Sequence, residues 1–88
     1  MGNQRVKPDM SKVDRDKYKV SAHDVKEVLK LANIPREEVP REKRELVKIG
    51  CECMLLSFND IVYMCNPNIS YRDAEKRMSA KRLSSFNR

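Results

Sequence analysis

The sequence predicts an all-α fold of three helices, short, long and short, behind a flexible basic tail. Three observations carry that expectation. Two segments begin with serine followed three residues later by aspartate, Ser21 to Asp24 and Ser70 to Asp73, as in a capping box at a helix start. Between them Val47, Cys51, Met54, Phe58, Ile61 and Cys65 recur at spacings of 4, 3, 4, 3 and 4, which puts them on one side of a helix. Two glycines, no tryptophan and no threonine in 88 residues leave little of the turn and strand chemistry that a β-rich fold uses.

Residues 1–20 show neither a helical nor an alternating period, and Pro8 interrupts them. They read as a flexible tail, with residues 21–88 forming a single helical domain, since a chain this short supports one domain only. In the first helix Val25, Val28, Leu29 and Ala32 make one apolar stripe, and the helix stops at Asn33-Ile34-Pro35, because the residue before a proline avoids helical backbone. Pro35 to Pro40 is a polar connector. Pro40 fits the first turn of the next helix, where its missing N–H is not needed.

The long helix is expected over residues 41–65. Its second half carries Leu55, Leu56, Val62, Tyr63 and Met64 off the seam, so both of its flanks are apolar. A helix apolar nearly all round is buried nearly all round. Two short flanking helices can shelter one side, so the other is expected to meet another protein chain. Cys51, Met54, Leu55, Phe58, Val62 and Tyr63 are the candidate partner-binding residues. Asn66-Pro67-Asn68 then breaks the helix, and Tyr71, Ala74 and Met78, followed by Leu83 and Phe86, form the inward stripe of the third.

The net charge of +6 sits at the two ends. Residues 1–19 hold six Lys/Arg against three Asp/Glu, residues 20–71 seven against eight, and residues 72–88 six against two. Basic ends on a nearly neutral middle suit nucleic acid or an acidic protein surface. The candidate nucleic-acid-binding residues are Arg36, Arg41, Lys43 and Arg44 around the connector, and Arg72, Lys76, Arg77, Lys81 and Arg82 on the last helix.

Enzyme chemistry finds no foothold. Cys51 and Cys53 are two apart and point to nearly opposite sides of a helix, so no metal site is expected, and Cys51 and Cys65 read as core residues. The glycines, Gly2 and Gly50, make no phosphate loop, His23 has no evident nucleophile beside it, and the acids are dispersed among bases. No catalytic residues and no cofactor are expected. No apolar run, Met54-Leu55-Leu56 included, approaches the roughly 20 residues a membrane span requires. Three cysteines without a secretory leader point to a reducing, intracellular setting, the nucleus if the source is eukaryotic.

Val39-Pro40-Arg41-Glu42-Lys43-Arg44-Glu45-Leu46-Val47 resembles the entry to the central helix of histone-fold subunits of transcription complexes, and Asn68-Ile69-Ser70-Tyr71-Arg72-Asp73 is similar to the segment before their last helix. The resemblance covers about residues 21–83 and implies a heterodimer formed along the central helix, with Ile69 in a short strand bridge to the partner. The chain departs from the pattern in its short second loop, Asn66 to Asn68, which lacks the basic residue that family members pair with the acid at Asp73. Core-histone wrapping of DNA is therefore not implied. The leading expectation is a non-enzymatic, DNA-associated or transcription-related binding subunit, a hetero- or homodimer with no membrane contact. The alternatives are a small viral or phage-type helical regulator that docks on a host protein such as RNA polymerase, and a ribosome- or RNA-associated structural protein.

Overall fold

The first helix forms where the Ser21 signal and the Val25–Leu29 stripe place it. In the computed structural model, which describes residues 9–86, a single 3-10 turn at Ala22–Asp24 runs into α1, Val25–Leu31. Ser21 Oγ donates to the Asp24 carboxylate at 3.3 Å. Asn33 closes the helix with φ of 60°, its N–H reaching the Lys30 carbonyl while the Ile34 N–H reaches Leu29. This is the Schellman ending, and asparagine tolerates its left-handed residue better than most side chains. A second 3-10 turn at Arg36–Glu38 leads to α2, Arg41–Glu52.

The expected long helix is two helices, so the described chain has four helices and not three. After α2 the chain turns at Cys53–Ser57 and resumes as α3, Phe58–Cys65, followed by α4, Tyr71–Phe86. Met54 takes φ of 56° and ends α2 with another Schellman pair, Met54 N–H to Cys51 and Leu55 N–H to Gly50. Ser57 then starts α3 in a complete capping box with Asp60. Gly50 makes the reversal possible: a Cβ there would stand 2.6 Å from Leu56 Cδ1 and 2.9 Å from Met78 Sδ.

The turn alters what covers the apolar surface. α3 packs against α1, α2 and α4, so its several apolar flanks have neighbours from the same chain. Leu55, Leu56, Phe58, Ile61, Met64 and Cys65 are all buried. α4 contributes Ala74 and Met78, while Tyr71 and Leu83, expected on the inward stripe, are 40% and 63% exposed. The side chain of Phe86 lies outside the described residues.

Part of the expected tail also joins the body. Met10 and Val20 are fully buried, the Val20 N–H donates to the Leu56 carbonyl at 2.9 Å, and the Asn59 N–H donates to the Arg15 carbonyl at 2.9 Å. The Arg15 guanidinium lies 4.2 Å from the centre of the Phe58 ring. The polar contacts tie residues 15–20 to the turn before α3 and to the first turn of α3, not through any period of their own. Residues 1–8 of that tail lie outside the described residues. Among the described residues the only strand-like pairing is an isolated antiparallel bridge between Lys19 and Ser57, and no helix is long and apolar enough to cross a membrane.

Candidate polyanion-binding cleft

The nine cations nominated by the sequence part into separate groups. Arg36, Arg41 and Arg44 come together with Lys26 and Lys48 around one cleft of about 300 Å³ between α1 and α2. Its floor is apolar, drawn from Val25, Leu29, Val47 and Cys65. Three of the cations share one face of α2, since Arg41, Arg44 and Lys48 follow helical spacing. The 3-10 turn of the connector brings Arg36 across to them, and α1 supplies Lys26. The Arg44 Nε donates to the Val39 carbonyl at 3.1 Å, which holds its stem against the connector. Arg41 pairs with Glu45 at 3.3 Å on the open surface, and Glu45 is the one acid lining the cleft. Lys26 and Lys48 were not nominated from sequence. The spacing of 3 and then 4 from Arg41 through Arg44 to Lys48 is the signal that points to Lys48; Lys26 has none, because it reaches the cleft only through tertiary packing.

Three of the nine cations serve the fold. Lys43 is only 3% exposed, and its ammonium donates to the carbonyls of Asn66, at 2.9 Å, and of Ile69, tying α2 to the loop before α4. Arg77 and Lys81 both reach the buried Asp60, at 2.8 and 3.2 Å, and the Arg77 guanidinium lies 4.2 Å from the centre of the Tyr63 ring. Asp60 also accepts from the Ser57 N–H at 2.9 Å and from the Ser57 hydroxyl. Burial alone would raise the Asp60 pKa, but the Ser57 N–H, Lys81 and the Ser57 hydroxyl outweigh it and hold the carboxyl below its ordinary value. The remaining cations, Arg72, Lys76 and Arg82, are exposed on α4, away from the cleft.

The six nominated partner residues do not form one open flank. Cys51, Leu55 and Phe58 are buried in the chain's own core, Val62 and Tyr63 are half-buried against it, and Met54 alone is well exposed, at 53%. The reversal at Met54 is the physical reason, since it folds α3 back among the other helices. Burial pushes the Cys51 thiol up to about 12, with Cys65, Asp60 and Glu52 adding to the effect; burial raises Cys65 to about 11, opposed by Lys43. Neither is poised as a nucleophile. Among the described residues, no three His, Cys, Asp or Glu side chains come together as a metal site.

Fold and cleft together define a small all-helical domain with a cation-rimmed, apolar-floored hollow on one side. No protein-family model matches the chain, and neither a curated protein nor a solved structure gives a significant match.

Proposed function

We propose that the protein is a non-enzymatic binding subunit of a DNA-associated or transcription-related assembly, and that it engages an anionic partner through the α1–α2 cleft. The observation that carries this reading is the convergence of Lys26, Arg36, Arg41, Arg44 and Lys48 on one hollow that only Glu45 balances. Clustered cations raise the local concentration of anions and speed their arrival, an effect that salt weakens. The long central helix plays no part in this reading, and neither does the histone-fold resemblance that rested on it. The second reading, a small helical regulator docking on a host protein, is favoured by the enclosure of Phe58, Ile61 and Met64, since a chain that covers its own core needs no partner to fold.

Retention on immobilised heparin tests the cleft. The wild-type chain should elute at higher salt than an Arg36→Glu, Arg44→Glu double variant of equal thermal stability. In solution, removing a single cation that pairs with the partner's anionic groups should lower the salt slope of binding by about one unit. Equal elution of the two proteins would refute the reading.

A further inference from the structure

A larger groove, of about 880 Å³, opens along α1 and the start of the connector and shares Lys26, Leu29 and Arg36 with the cleft. It adds Leu31, Ile34 and Pro35 to the apolar lining and Lys30 to the cationic one. Leu31 is 38% exposed, a large apolar side chain at the rim with room for a neighbour. The two hollows form one continuous surface, an apolar track flanked by cations.

We infer that this track is the docking site for an acidic amphipathic helix of a partner protein, an inference that rests on the anionic-partner reading above. Both halves of the surface enter the argument. A nucleic-acid backbone answers the cations but leaves the exposed Leu31 and Pro35 and the half-buried Val25 and Ile34 uncovered, because phosphate contacts are polar. Single strands cover apolar surface by stacking bases chiefly on Phe, Tyr or Trp rings, and among the described residues none of these lines either hollow, His23 being the one ring at the groove. A helix with leucine-like residues at i, i+3, i+4 and i+7 and carboxylates on its flanks answers both, apolar on apolar and acid on base. The acids lining the two hollows, Glu27 and Glu45, are outnumbered by cations, so the complementarity has a definite sign.

The test uses the full chain and three probes in a fluorescence-anisotropy titration. These are a synthetic helical peptide with apolar residues at i, i+3, i+4 and i+7 and Asp or Glu elsewhere, a scrambled peptide of the same composition, and a short DNA duplex. The patterned peptide should bind at least about tenfold more tightly than the scrambled one, because only the former presents a continuous apolar face. A Lys26→Glu, Arg36→Glu variant should lose about tenfold for that peptide, while Lys17→Glu, the same kind of charge change on the exposed segment before α1, should lose none. Leu31→Ser should weaken the patterned peptide several-fold and leave heparin retention unchanged. Equal binding of the two peptides would overturn the inference. So would duplex binding that needs Lys26 and Arg36 while neither peptide binds, and that outcome would leave the anionic-partner reading standing. If no probe responds to the cleft cations, both fall.

Discussion

Lys43 separates a cation that holds the fold from one that meets a partner, and Lys43→Met measures the difference. The substitution keeps most of the stem that packs beneath the loop and removes only the ammonium. That ammonium donates to the Asn66 carbonyl at 2.9 Å and to the Ile69 carbonyl, inside a site that is 3% exposed. A hydrogen bond from a charged group contributes about 1.5–3 kcal/mol net. Asn66 and Ile69 are half-buried, so water can recover part of what their carbonyls lose. A loss of about 2–4 kcal/mol follows, which for a domain of this size lowers Tm by roughly 10–20 °C. Urea denaturation with the wild-type slope reads the free energy directly. Heparin retention, measured at a temperature where both proteins are folded, should shift far less than for Arg44→Glu. A variant that loses under about 1 kcal/mol yet elutes at clearly lower salt would show that Lys43 faces the partner, and would refute the assignment.

Three further outcomes follow from the packing of the core. Gly50→Ala should destabilise the protein by about 1 kcal/mol in thermal denaturation, because overpacking against the buried Leu56 and Met78 exceeds the roughly 1 kcal/mol that alanine gains in a helix. A more stable variant would show that the reversal has slack. Asp60→Asn should cost about 1–2 kcal/mol at neutral pH, a figure discounted because Arg77 and Lys81 are 36% and 30% exposed. Since the folded-state pKa of Asp60 lies below its ordinary 3.8, its ionised form stabilises the fold above about pH 4, and that contribution disappears as pH falls through the folded value. Urea midpoints against pH should therefore fall less steeply below about pH 4 for Asp60→Asn than for the wild type. Disulfide-exchange labelling at pH 8 should modify Cys53 rapidly in the native protein and reach Cys51 and Cys65 only on unfolding. Fast reaction of all three would contradict their burial.

The parts legible in the sequence are those with a local cause. The last helix follows from a serine cap and an acid three residues on, and Ser70 Oγ does accept the Asp73 N–H at 3.2 Å. The first helix ends before Pro35 as read, but Ser21 caps no backbone N–H there and donates its hydroxyl to Asp24. The central break is hidden because the apolar spacing runs across it without interruption: Met54, Phe58 and Ile61 keep helical register on paper although the chain reverses between the first two. The signal that marks the break is of the same kind as those at Ser21 and Ser70. Ser57-Phe58-Asn59-Asp60 has the serine and the acid of a capping box, inside a segment whose periodicity argues for continuity. Residues 9–20 are illegible for a different reason. Met10 and Val20 are single apolar residues among charges, and their burial comes from tertiary packing into the core that no local period announces.

The cations show why net charge at the ends of a chain is a poor map of where cationic surface gathers. On the last helix Arg77 and Lys81 neutralise a buried carboxylate, so part of that helix's positive charge is consumed inside the molecule. Lys43 lies four residues before Val47 and seven before Gly50, on the buried face of α2, and that register by itself argues for an internal role. Arg41, Arg44 and Lys48 occupy a different face of the same helix and emerge into the cleft. Register on a helix, more than position along the chain, decides which positive charges remain for a partner. The α1–α2 cleft, in a middle segment whose charges nearly cancel, therefore holds a denser cationic surface than the basic ends suggest, because folding sorts cations and acids of one neutral segment onto different faces.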